Sequence, residues 1–138
     1  MIPKSVVSDW IVVSQEQIKL FADATGDHQW VHVARGRAES ESPYGAIVAH
    51  GFLTLSLISP LLRQTEVLEG VRMTVNYGLN RVRFTAPVVA GARIRGRFVP
   101  VSVEESEAAL KVVWNVTVEC EQSAKPACVA EWIVLYYR

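Results

Sequence analysis

Asp27 and His32 stand five residues apart in the stretch Gly26-Asp27-His28-Gln29-Trp30-Val31-His32. A carboxylate and an imidazole at that separation can hold one water molecule between them, provided the backbone joining them is not helical. That pairing is suited to adding water to an activated double bond, or to removing it. A second segment, Ala49-His50-Gly51, follows after a short insert and opens an apolar run. A glycine at the start of a helix presents unsatisfied backbone N–H groups, which stabilise a developing negative charge.

The elements flanking the pair are legible. Asp9 to Val13 reads as a short strand. Ser14 with Gln17 three residues on forms a capping box. Behind it Ile18, Phe21 and Ala22 recur at helical spacing. Gly26 is placed to end that helix in a left-handed conformation. Asp27 therefore begins a loop just past a helix C-terminus. The stretch from Val33 to about Glu39 predicts one further helical turn, and residues 41–45 are loop. From His50 to about Arg63 the pattern predicts one helix, apolar on nearly every side and so buried all round, with Pro60 able to kink or shorten it.

The second half predicts four strands, over Val75 to Phe84, Ala92 to Val101, Leu110 to Cys120 and Cys128 to Tyr137. In the third, alternate residues are apolar on one face and mostly polar on the other. Residues 104–107 and 122–126 are turns. Consecutive long strands suggest an antiparallel meander. One early strand, a buried helix and that run of strands make an α+β fold, a curved sheet around a helix.

Bulk properties narrow the function. The 138 residues argue for one domain, 1–138, with 50% hydrophobic and 20% charged residues. Lys plus Arg and Asp plus Glu are both 14. Zero net charge gives no global field for nucleic acid and removes one barrier to self-association. No run approaches the roughly 20 apolar residues of a membrane span. The N-terminus lacks the apolar region of a secretory signal, so the expected location is cytoplasmic. Cys120 and Cys128 could face each other across a hairpin, but are expected to be free thiols there.

Three markers in order resemble those of the MaoC-like dehydratases, the group that includes (R)-specific enoyl-CoA hydratases. Residues 26–32 occupy the place of the family's Gly-Asp-x-Asn-Pro-x-His motif. Ala49-His50-Gly51-Phe52-Leu53 is similar to its Ala-His-Gly helix start. The run from Tyr77 through Pro87 to Gly91 resembles its third marker. Gln29 and Trp30 depart from Asn-Pro, as in a branch related to nodulation protein N, and Trp30 could reshape the mouth of the pocket.

The resemblance implies a single hot-dog fold and reversible hydration of a trans-2-enoyl thioester to a (3R)-hydroxyacyl thioester. Asp27 and His32 would be catalytic, with Asp27 read as base and His32 as proton donor. Gly51 would be the oxyanion donor, and Gln29, Asn80 and Arg81 further substrate contacts. His50 takes a structural role at the helix start. No metal or other cofactor is expected, because CoA or an acyl-carrier pantetheine enters as part of the substrate. The expected assembly is a homodimer, with no nucleic-acid or membrane partner.

Other readings bear on the same residues. His28 and His32 have helical ligand spacing, which invites a metal, but Gly26 and the predicted helix end argue against a helix there. Asp27 alone could be an ordinary turn residue, and His32 a surface or core histidine. Arg81, Arg83, Arg93, Arg95 and Arg97 read as a solvated sheet surface, or as contacts to the phosphates of a CoA or carrier arm. A hot-dog thioesterase would need a carboxylate on the central helix, and residues 51–63 contain no Asp or Glu. A binding protein without turnover would keep the pair and lack activity.

Overall fold

The computed structural model describes residues 2–138. Two short strands, β1 (Val6–Val7) and β2 (Ile11–Val12), lead into helix α1 (Gln15–Thr25). The Ser14 hydroxyl accepts the Gln17 N–H at 3.1 Å, as the capping box requires. At the other end Gly26 has φ 80° and its N–H donates to the Ala22 carbonyl. Only a residue without Cβ takes that turn cheaply, so the chain leaves the helix sharply at Asp27.

Two short helices follow, α2 (Trp30–Val33) and α3 (Arg35–Glu41). Helical geometry thus begins earlier than the single turn expected from Val33, and it includes His32 but not His28. The segment after His50 forms α4 (Gly51–Ser56) and α5 (Ile58–Arg63) instead of one helix. The break at Leu57 puts Pro60 in the first turn of α5, where its missing N–H costs no intrahelical bond. Burial is one-sided as well. Leu53, Leu57, Ile58, Leu61 and Leu62 are in the core, whereas Phe52, Ser56, Pro60 and Arg63 lie exposed on the opposite face. The expectation of burial all round is therefore corrected: in the single chain this is an amphipathic helix pair.

Strands β3 (Met73–Arg83), β4 (Arg93–Glu105), β5 (Ala109–Cys120) and β6 (Cys128–Tyr137) build a six-stranded antiparallel sheet with β1 and β2. The order is β1-β4-β5-β6-β3, with β2 also on β4. Only β4, β5 and β6 form the expected meander. β3 joins the far edge beside β6, because the segment after it crosses to the other side of the sheet. That crossing is tied down where Ala49 donates to the Val88 carbonyl and Ala90 to that of Ile47. Phe98, Trp114, Val116 and Val134 face the helices and form the core, with the Trp114 indole donating to the Tyr136 hydroxyl. The result is a hot-dog fold.

Cys120 and Cys128 are both free and buried. They do not face each other: Cys128 lies opposite Val118 and Cys120 opposite Ile94. Arg93, Arg95 and Arg97 share one face and are ion-paired. Arg93 meets Glu121, and Arg95 and Arg97 converge on Glu119 at 2.8 and 3.5 Å. The Arg95 guanidinium also sits 4.5 Å over the Trp10 ring. These three arginines are thus engaged along the sheet surface.

Candidate active site

The sharp exit at Gly26 delivers Asp27 to an exposed loop. The Asp27 N–H donates to the Thr25 hydroxyl at 3.3 Å, and the Gln29 N–H reaches the Asp27 carboxylate at 3.4 Å. Only the second contact touches the carboxylate, and it leaves most of the accepting capacity free for water. His28 turns away to Asp23, with its Nε2 2.9 Å from that carboxylate. Trp30 opens α2 half-buried, with the Arg37 guanidinium 4.4 Å over its ring.

His32 sits on α2, half-buried, with Nδ1 2.7 Å from the Val48 carbonyl oxygen. A carbonyl only accepts, so the proton of the neutral ring is on Nδ1 and Nε2 carries the lone pair. His50 immediately precedes α4 and is 3% exposed. Its Nε2 lies 3.0 Å from the Asp27 carbonyl oxygen, and its ring stacks on His32 with centroids 3.8 Å apart and planes at 23°. One donor atom from each of Asp27, His32 and His50 falls within 4.8 Å of the others. That spacing would admit a metal ion. Two nearly parallel stacked imidazoles, however, cannot both aim an in-plane lone pair at one ion at bonding distance.

Gly51 is the first residue of α4, and no side chain caps that helix. The first-turn N–H groups have no partner within the helix. Since His50 binds the Asp27 main chain, the same contact brings this helix start to the acid–imidazole pair. A Cβ on Gly51 would meet the Phe84 ring at 3.0 Å, so the glycine's role is close approach, not unusual backbone conformation. Phe84 in turn packs edge-on to Phe52 at 6.2 Å.

Asp27, His32 and Gly51 thus converge, and Gln29 lies within the loop between the first two. Asn80 and Arg81 are elsewhere in the bonding network: Asn80 donates to the Glu131 carboxylate at 2.7 Å, and Arg81 stands opposite Glu131 on β3. Neither the stacking of His50 on His32 nor the cover from Phe84 is encoded in the local sequence pattern. The Ala-His-Gly segment was the available signal for His50; Phe84 lies within the third marker, but nothing there singled out its ring.

A hollow of about 640 Å³ is not lined by Asp27, His32 or Gly51. It lies between the end of α5, residues 66–72 and β6, with Leu62, Val67, Leu68, Trp132 and Tyr136 among its walls. A smaller cleft of about 300 Å³ touches His32 and is lined by Lys19, Asp23 and His28.

Comparison with known proteins bears on all of this. The family description "MaoC like domain" matches residues 2–122. The chain is 51% identical over 130 residues to 3-hydroxyacyl-thioester dehydratase Z of Mycobacterium tuberculosis, covering 94% of this chain and 85% of that one. It is 48% identical over 130 residues to nodulation protein N of Rhizobium leguminosarum bv. viciae, covering 93% and 81%. Among solved structures, an (R)-hydratase from A. caviae superposes with TM-score 0.74 at 19% identity, covering 97% of this chain and 95% of that one.

Proposed function

This chain belongs to the MaoC-like dehydratase family, and from that premise we propose that it is a hydro-lyase that reversibly adds water to a trans-2-enoyl thioester, giving a (3R)-hydroxyacyl thioester. The observation that carries the reading is the convergence of the Asp27 carboxylate and the His32 ring within 4.8 Å, beside the uncapped start of α4.

In the proposed reaction, ionised Asp27 and the Nε2 lone pair of His32 each accept one hydrogen of a single water. The water's own lone pair is then free to approach C3. Both groups start as acceptors, so the proton taken from water is held by the pair. The C3–O bond forms as a water O–H bond breaks. The C2–C3 π pair shifts towards the thioester oxygen, and a proton from the pair completes the C2–H bond. The Gly51 N–H would receive the thioester oxygen, where its hydrogen bond strengthens as charge develops. Gln29 would steady the Asp27 loop, and Asn80 and Arg81 would contact the carrier arm from β3. The acyl tail would run along α4 and α5 towards the hollow at Leu62. No metal or redox group enters this scheme; CoA or a carrier pantetheine comes with the substrate.

We further propose that the chain acts as a single-domain subunit of a homodimer in the cytoplasm. No helix among the described residues is long and apolar enough to cross a membrane. Among the described residues β3 pairs only with β6 and carries exposed apolar side chains, and an open edge of that kind is a ready template for a second copy.

The test is the loss of enoyl absorbance from crotonyl-CoA, with chiral analysis of the product. Expected are (3R)-hydroxybutyryl-CoA from the unaltered protein and a fall of about 10²- to 10⁴-fold in kcat for Asp27→Asn and for His32→Ala. A folded protein that turns over no enoyl thioester, short or long, on CoA or carrier, would overturn the reading. Release of free thiol would point instead to a thioesterase.

A further inference from the structure

His50 is one of only three buried polar side chains among the described residues, with Ser8 and Thr54. The Asp27 carbonyl only accepts, so the His50 proton is on Nε2 and Nδ1 is a lone pair. That Nδ1 is sealed from solvent and has no hydrogen-bond partner. Burying a polar atom without a partner is costly, and an apolar ring of similar size would avoid the cost. The imidazole must therefore do something that such a ring cannot. It has two engagements. Nε2–H holds the main chain of Asp27, and the ring stacks on His32 and meets the tilted Phe21 ring at 4.9 Å.

We propose that His50 is the positioning residue of the Asp27–His32 pair, acting through these two contacts and touching no reacting atom. The proposal rests on the reading that Asp27 and His32 carry the reaction. Asp27 needs such a tether because it lies in an exposed loop that follows a left-handed residue, with one long contact to its carboxylate. His32 is held at Nδ1 by Val48, but that single bond leaves its ring free to tilt. The flat face of His50 removes the tilt, and Nε2 remains the free nitrogen of His32. One side chain thus sets the carboxylate and the imidazole against each other, and its place before Gly51 ties both to the start of α4.

Two variants separate this role from plain packing. His50→Phe keeps the ring face and removes the N–H; His50→Gln offers an N–H without the ring. His50→Phe is expected to melt within about 4 °C of the unaltered protein, because it also removes the unpartnered nitrogen. Its kcat on crotonyl-CoA is expected to fall roughly 10- to 100-fold, with KM changed less than about threefold. His50→Gln is expected to recover part of the kcat. An unaltered kcat in His50→Phe would overturn the proposal, as would a loss of activity that only follows a lost melting temperature and is equal in both variants.

Nitrogen NMR of the imidazoles at mildly alkaline pH gives a reading that needs no turnover. It should find the His50 proton on Nε2, and the His32 resonances and the Asp27 amide should shift in His50→Phe. A proton on Nδ1 of His50, or an unmoved His32 and Asp27 in the variant, would refute the positioning role. If the unaltered protein hydrates nothing, the functional reading fails by itself and the NMR result still decides on His50.

Discussion

Gly51 shows how much a missing side chain can matter. Its backbone lies so close to the Phe84 ring that a methyl group would meet it at 3.0 Å. Phe84 is 44% exposed, so it can give way by a few tenths of an ångström at modest cost. Gly51 is the first residue of α4, so alanine there recovers less than the about 1 kcal/mol of propensity it gains in a helix interior. Stability of Gly51→Ala should therefore stay within about 1 kcal/mol of the parent. Turnover should fall about tenfold or more, because the added methyl and the displaced Phe84 ring crowd the place proposed for the thioester oxygen beside the Gly51 N–H. Steady-state kinetics beside a thermal melt would separate the two effects. Restoration of most of the activity by a second change, Phe84→Leu, would identify the ring as the cause; a Gly51→Ala protein with unaltered turnover would count against the oxyanion role.

At the scale of elements, the end of α1 governs the acid. Gly26 sits at φ 80°, where a Cβ is strained whatever space surrounds it. Gly26→Ala should destabilise the protein by about 1–2 kcal/mol and displace Asp27. A chemical denaturation curve gives the first quantity and the hydration assay the second, and loss of stability with full activity would show that Asp27 tolerates movement of its loop. Much of this element was readable in advance: Ser14, Gln17 and Gly26 carry local signals that need no partner. The division of residues 51–63 into α4 and α5 was only half legible. Pro60 announced a disturbance, but its place three residues earlier, at Leu57, depended on which turn could lose an N–H without loss of a bond. The exposed face through Phe52 and Ser56 was hidden for a similar reason. Leucine and isoleucine crowd the segment, and which of them meet β4 and β6 is a matter of packing, not of pattern.

For the whole molecule, two behaviours follow from burial and from the free edge. Burial pushes the Cys128 thiol from 9.0 up to about 11, and burial likewise raises Tyr136 from 10.0 to about 12 despite its bond from Trp114. In the unfolded chain both groups lose their protons first. Stability that is complete below pH 9.0 is therefore lost as pH rises towards 11 and beyond. The melting temperature should drop across that window, and Cys128→Ala should flatten its first part, by an amount on the order of 1–3 kcal/mol. An equal slope in the variant would assign the loss elsewhere. At the edge, Val75 and Tyr77 on β3 are 36% and 61% exposed. If β3 pairs with its own copy, lysines at both positions place like charges near one another across the new boundary. Sedimentation velocity should then find a dimer in the parent and a monomer in Val75→Lys with Tyr77→Lys; two dimers would remove β3 from the interface.

What the sequence determined by itself was local and chemical. The acid and the imidazole, the left-handed stop before them, the long strands and the glycine at a helix start are all properties of neighbouring residues, and periodicity, capping and backbone sterics act at that range. What only the tertiary structure decided was long-range. β3 lies beside β6 and not β4, because the crossing at residues 84–92 is held by backbone bonds to residues 47–49. Arg93, Arg95 and Arg97 are bound to glutamates of the neighbouring strand and its turn, and Asn80 is bound to Glu131. His50 reaches back 23 positions to the carbonyl of Asp27 and lies flat on His32. A stack of two rings and a bond across that separation exist only once the segment that leads into α4 has folded back on α2 and the Asp27 loop, and for that reason no reading of residue types or spacings could place them.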